Sequence, residues 1–218
     1  MIIDCISDLH GYYPTLEGGD LLIVAGDLTA RDEKEQYEEF FNWMKNQEYR
    51  KKVFICGNHD NQAMSQFDWY DAEYLCDSGT EVVTNGNRLK IWGSPWSSTF
   101  KGMNPHCKAF TCDTEEELAV KFSLIPEDVD ILITHSPSHG ILDSVLDQSV
   151  GFENEYTRYC GSISLREKFF QIKPKLHVFG HIHEWGGKSI DLTTSICINA
   201  SIVNEKYEHV NKPVRVIL

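Results

Sequence analysis

A chain of 218 residues is long enough for one sizeable domain or two very small ones. With 41% hydrophobic and 24% charged residues, its profile is that of an ordinary globular protein and excludes long disorder. Lys and Arg number 20 against 33 Asp and Glu, a formal net charge of −13, so the surface repels polyanions and argues against general nucleic-acid or anionic-membrane binding.

Short apolar runs, each closing on a small, polar or charged residue, predict strands buried on both faces at Ile2–Ser7, Leu21–Gly26 and Val53–Gly57. Between the second and third, Tyr37, Phe40, Phe41 and Met44 recur at helical spacing and predict one buried stripe. Thr29 with Asp32 resembles a capping box at that helix's start, and the acidic run Asp32–Glu39 reads as its solvated face. Glu81–Trp92 reads as a hairpin turning around Asn85-Gly86-Asn87. Further strands are expected at Ile131–Thr134, His177–Gly180, Ile196–Ala200 and Val214–Leu218, and further helices at Asp113–Leu124 and Ile163–Ile172. No repeat, low-complexity tract or linker interrupts the chain, so residues 1–218 are expected to form one domain, βαβ-rich in front and more antiparallel behind.

Cys5, Cys56, Cys76, Cys107, Cys112, Cys160 and Cys197 make an odd count with no CxxC pair. Free thiols in a cytoplasmic protein are the expectation, since Cys107 and Cys112 lack partners at ligand spacing. Met1-Ile2-Ile3-Asp4 has no basic leader-like stretch. No apolar run approaches the roughly 20 residues of a membrane span.

The chemistry lies where the strands stop. They close on Asp8-Leu9-His10-Gly11, Gly26-Asp27, Gly57-Asn58-His59-Asp60, Thr134-His135-Ser136-Pro137 and Gly180-His181-Ile182-His183. Ligands of α/β sheets bind beyond the carboxyl ends of strands. One rim therefore collects two Asp, one Asn and five His, donors that suit Zn, Mn or Fe. One ion rarely takes more than six ligands, so the set is large enough for two ions sharing a carboxylate. Unpartnered Asp and His at one buried rim would carry a heavy desolvation cost, which weighs against purely structural roles.

The ordered series DxH, GD, GNHD, THxP and GHxH resembles the calcineurin-like metallophosphoesterases, from Asp8 to about Ser201. Trp92-Gly93-Ser94-Pro95-Trp96, Lys173–Glu184 and Asn199-Ala200-Ser201 are similar to the MPPED-type subgroup. The resemblance implies a four-layer α/β/β/α sandwich of two mixed sheets. It assigns one divalent ion to Asp8, His10 and His183, a second to Asn58, His135 and His181, and the bridge to Asp27. It makes His59 the residue that contacts phosphate and protonates the leaving oxygen, or stabilises its charge. The implied reaction is hydrolysis of a small phosphate ester by metal-activated water, with the ions as Mn, Fe or Zn. Ala30 stands where Ser/Thr protein phosphatases carry the Asp that partners their catalytic His, and GNHD replaces GNHE, so a small phosphodiester such as a cyclic nucleotide is favoured over a phosphomonoester or phosphoprotein. Arg31 sits where those enzymes clamp phosphate, and His139 in the loop after His135 is a further substrate-binding candidate. His106, His139, His177 and His209 read as structural, His139 with substrate binding as the alternative. Trp92, Trp96 and Phe100 form an aromatic cluster, read as packing before base stacking. The rival class is a non-catalytic scaffold on the same fold, which the intact ligand set disfavours.

Overall fold

A computed structural model describes residues 1–64, 72–84, 86–99, 106–147 and 156–218. Phe100 of the expected aromatic cluster and Asn85 of the expected hairpin turn lie outside the described residues.

The first sheet holds β1 (Ile2–Ile6), β2 (Gly19–Ala25), β3 (Tyr49–Ile55), β4 (Glu73–Tyr74) and the C-terminal β15 (Val214–Ile217), in the order β15-β1-β2-β3-β4. Its pairs are parallel except β1 with β15. The second sheet contains β5 (Ser78–Thr84), β6 (Asn87–Ser94), β9 (Ile131–Thr134), β12 (Leu176–Phe179), β13 (Lys188–Asp191) and β14 (Ile196–Asn199), in the order β13-β14-β12-β9-β6-β5. Antiparallel pairing is confined to its two edges, and the centre is parallel. The short pairs β7 (Ser97–Ser98) with β8 (Thr111–Cys112), and β10 (Ser144–Asp147) with β11 (Tyr156–Tyr159), stand outside both sheets.

Successive residues of a strand point to opposite faces. In β2, Leu21, Ile23 and Ala25 enter the core between the sheets with Ile131, Ile133, Val178 and Ile198 of the second sheet. Leu22 and Val24 face outward, onto Tyr37, Phe40, Phe41 and Met44 of α1 (Lys34–Lys45). Both faces are covered, which is why the run is apolar without alternation. Each of those four helix side chains contributes about 1.5–3 kcal/mol on burial. Leu132 of β9 faces the other way, onto Leu118 and Phe122 of α2 (Glu115–Phe122) and Leu165 of α3 (Ile163–Ile172). The result is the expected four layers, with α1 outside one sheet and α2 and α3 outside the other.

Thr29 and Asp32 do not cap α1. That helix begins at Lys34 after Glu33, which makes no side-chain cap. Thr29 is buried and gives its N–H and hydroxyl to Asp60. Asp32 accepts instead from the Tyr37 hydroxyl and the Gln62 N–H. A reciprocal capping box does form at α2, between Thr114 and Glu117.

The sheets are stitched together at one end. Ser7 donates its N–H to Ala200 O at 2.8 Å, and Ile202 N–H returns to Ser7 O at 3.0 Å. The loops leaving β1 and β14 are thereby joined across the interlayer gap, at the end where β1, β2, β3, β9 and β12 all terminate.

Candidate metal centre

Each expected ligand follows a strand by one to four residues, and the loops that carry them are tied to one another. Asp8 N–H donates to Gly26 O at 3.0 Å, His10 N–H to Asp27 O at 3.1 Å, and Gly180 N–H to His135 O at 3.1 Å. Asn199 donates its side-chain amide to Ile182 O at 2.8 Å, which fixes the turn between His181 and His183. Asp60, left without a role by the sequence, accepts from the N–H groups of Gly57, Leu28 and Thr29 and clasps the Asp27 loop to the Asn58 loop. Burial and the nearby Asp27 carboxylate push its carboxyl up to about 7, against those donors.

Asp8, His10, Asp27 and His181 have φ of 54°, 43°, 52° and 67°. The left-handed region is unfavourable for such side chains, and strain of this kind persists where surrounding contacts enforce it, commonly at functional sites. Two glycines leave the room. A Cβ at Gly57 would overlap Asp27 Oδ1, and one at Gly180 would overlap Asp8 Oδ2 and Ser7 Oγ.

The ligand atoms converge. His183 Nε2 lies 3.2 Å from Asp8 Oδ1, and Asp8, His10 and His183 offer donor atoms all within 4.8 Å of one another. Asp8, Asp27 and His135 form a second such group, and His10, Asp27 and His59 a third. Asp27 belongs to two of the groups. Its Oδ1 accepts the His59 N–H at 2.9 Å, while Oδ2 lies 3.7 Å from His10 Nε2 and 3.5 Å from His135 Nε2. The rings of His135 and His181 are 4.8 Å apart.

The donor set fits divalent cations. His135 Nδ1 donates to Ala25 O at 3.0 Å, which turns Nε2 toward Asn58 Oδ1, also at 3.0 Å. An imidazole lone pair and an amide oxygen do not attract one another; a proton on Nε2, or a cation between them, reconciles them. A backbone carbonyl on the far ring nitrogen is the usual support of a metal-binding histidine. His10 is buried, and among the described residues neither of its ring nitrogens has a hydrogen-bond partner. Such orphaned nitrogens are costly unless an absent group satisfies them.

The electrostatics agree. Burial alone would raise the Asp8 carboxyl, but the attraction of His183 outweighs it and holds the group well below the usual range. Asp27 is likewise held down by His135 and His59 against its own burial. Burial lowers His10 to about 4 and His181 to about 3, leaving both neutral. At His135 burial is overcome by Asp27 and Asp8, which bring it up to about 9. His183 is raised too, Asp8 prevailing over burial.

The remaining expectations scatter. His59 borders the cluster, its ring centroid 4.6 Å from that of His10. Arg31 is exposed, and its N–H donates to Gln36 Oε1 at 2.8 Å. His139 packs on Tyr159 and lies 4.0 Å from Asp143 Oδ2, joining none of the ligand groups. His177 is buried beside Thr134, 2.9 Å from its hydroxyl. Trp96 packs on Phe110 and donates to Asp77, in the packing role expected of it. Cys5, Cys56, Cys76, Cys107, Cys112 and Cys197 are free thiols. Two neighbours of the site carried no sequence signal. Cys107 Sγ lies 3.4 Å from His59 Nδ1, and the Tyr207 ring sits against His10, His59 and His183.

Comparison with known proteins follows the same line. The family model described as calcineurin-like phosphoesterase matches residues 1–185. Human metallophosphoesterase domain-containing protein 1 is 35% identical, covering 96% of this chain and 68% of that protein, and its mouse counterpart matches equally. A Caenorhabditis elegans UPF0046 protein, K07C11.7, is 29% identical over 96% of this chain and 72% of its own length. Among solved structures, TT1561 of Thermus thermophilus superposes with a TM-score of 0.58 at 16% identity, covering 91% of this chain and 88% of that one. With the strand-end ligands gathered on two sheets of this architecture, the chain belongs to the calcineurin-like phosphoesterases.

Proposed function

We propose that this chain is a dinuclear-metal phosphodiesterase acting on small phosphate diesters, cyclic nucleotides or aryl diesters foremost. One observation carries the two-ion reading: a single oxygen of Asp27, Oδ2, faces His10 Nε2 at 3.7 Å and His135 Nε2 at 3.5 Å, one nitrogen from each expected ligand set. In this reading Asp8, His10 and His183 hold one ion, Asn58, His135 and His181 the other, and Asp27 touches both. The ions would be Mn, Fe or Zn, which the mixed nitrogen and oxygen donors suit. When bound, the pair supplies positive charge to phosphoryl oxygens and acidifies a water nucleophile.

The protein's own residues do the rest. With only Asp8 and Asp27 to offset two dications, the centre would be net cationic and would attract phosphate despite the net charge of −13. The fixed donors cost no reorganisation as charge develops on phosphorus. His59 is held by its N–H on Asp27 Oδ1, and with Nδ1 beside Cys107 it keeps Nε2 for the leaving oxygen. Its ring neighbour is a thiol, not the carboxylate of the protein phosphatases, which favours a small diester over a phosphoprotein. Arg31 remains a candidate for the substrate phosphate and His139 for lining the substrate site. Among the described residues no helix is long and apolar enough to cross a membrane; the cytoplasmic setting rests on the cysteine usage.

The test is turnover of bis(p-nitrophenyl) phosphate and of p-nitrophenyl phosphate with and without Mn²⁺. Metal-dependent hydrolysis favouring the diester is expected. A protein that binds no metal and hydrolyses neither ester would return the scaffold reading.

A further inference from the structure

The family match ends at residue 185, yet a side chain from beyond it reaches the centre. The Tyr207 ring meets three imidazoles, with centroids 4.9 Å from His10, 5.0 Å from His183 and 6.1 Å from His59. Against His10 and His183 it stands edge to face, at 68° and 88°. The residue is still 39% exposed, so part of it faces solvent at the mouth of the cluster.

The loop that presents it is built. Asn204 Oδ1 accepts the N–H groups of Lys206 and Glu208, both at 2.9 Å. Asn204 donates its N–H to Glu208 O at 3.0 Å and its side-chain amide to Glu208 Oε2 at 2.8 Å. Tyr207 N–H donates to Asn204 O at 2.8 Å. This clasp holds Tyr207 at φ 61°, a conformation that costs a bulky residue free energy. A strained, half-exposed aromatic aimed over a hydrolytic centre has more to do than fill space. Two residues further on, His209 packs on Tyr12 at 5.5 Å, and Tyr12, two residues past His10, is 42% exposed. The rim formed by these two loops is aromatic.

We propose that Tyr207 is a specificity-determining residue, a wall at the mouth of the centre on which a flat aromatic group of the phosphate ester packs. The inference rests on the phosphodiesterase reading and deepens it by naming the residue that selects diesters bearing an aryl or nucleobase ring. Ring-on-ring packing of this kind changes affinity by about tenfold on truncation.

The test compares phenyl p-nitrophenyl phosphate with methyl p-nitrophenyl phosphate, which share a leaving group and differ only in the flat ring. Wild type is expected to prefer the phenyl ester in kcat/KM. Tyr207→Ala should cut that preference by about tenfold, while Tyr207→Phe keeps it. Calorimetry on the Mn²⁺-loaded protein supplies a readout without turnover: Tyr207→Ala should weaken phenylphosphonate and leave methylphosphonate unchanged. An unchanged preference in Tyr207→Ala overturns the proposal. So does an equal loss on both esters with reduced metal content, which would make Tyr207 a packing support for His10 and His183. If wild type hydrolyses neither ester, the phosphodiesterase reading fails, and phosphonate binding still decides the role of Tyr207.

Discussion

Gly57→Ala isolates the close approach on which the centre depends. Gly57 is not among the residues with positive φ, so a methyl group there strains no backbone dihedral. It does need space. The added Cβ would lie 2.6 Å from Asp27 N and 2.7 Å from His135 Cε1, and nearer still to Asp27 Oδ1. Relaxed carbon contacts lie at about 3.5–4.0 Å, so Asp27 and His135 must retreat by about 1 Å. Two residues expected to touch the same ion would move apart together, and the 2.9 Å bond from His59 N–H to Asp27 would stretch. A misplacement of about 1 Å can cost about 10²-fold in rate. Overpacking of this kind costs about 1–3 kcal/mol. At about 2–4 °C per kcal/mol for a chain of this length, Tm should fall by about 2–12 °C with the fold intact. The assays are thermal melting, metal analysis and turnover of the chromogenic diester. A folded Gly57→Ala protein with wild-type metal content and wild-type kcat would refute the packing argument.

Three further outcomes are expected. His59→Ala should retain metal yet slow turnover by about 10²–10⁴-fold, with a smaller loss for better leaving groups if His59 donates a proton; a uniform loss would assign it charge stabilisation. Metal binding should release protons. His135, near 9 in the metal-free protein, must lose one to become a ligand, as must the charged fraction of His183, whereas His10 and His181 are already neutral. Apparent metal affinity should therefore rise with pH between 7 and about 9 and then level off; calorimetry in buffers of different ionisation enthalpy checks it, and no proton release at pH 7 contradicts it. The same raised pKa stabilises the metal-free fold fully below the unfolded value of about 6.5, a contribution lost as pH rises through about 9. Asp60→Asn turns one acceptor oxygen into a donor facing backbone N–H groups, and should cost about 1–3 kcal/mol by thermal melting; a loss under about 0.5 kcal/mol would show the clasp to be idle.

The convergence of the expected ligands on one edge was legible because each sits just past a strand whose apolar run ends abruptly, and strands in parallel sheets deliver such residues to one edge. Helix α3 was legible to the residue, and the buried stripe of α1 as well, since both faces are set by local periodicity. The start of α1 was misread because Thr29 answers to Asp60, a residue distant in sequence, and local capping rules cannot see that partner. The same distance hid Cys107 and Tyr207. Neither lies in a motif, and both reach the centre through tertiary packing of loops. Asp60 was set aside because extended backbone would aim it away from His59; the segment is instead a turn, Asp60 N–H donating to Gly57 O at 3.2 Å, and the carboxylate ties two ligand loops together.

The most direct test is anomalous diffraction from crystals of the protein loaded with Mn²⁺. Two peaks about 3.5–4 Å apart are expected, both within bonding distance of Asp27, with His10 and His183 on one and Asn58, His135 and His181 on the other. A single peak, or peaks that leave Asp27 uncoordinated, would contradict the shared-carboxylate centre.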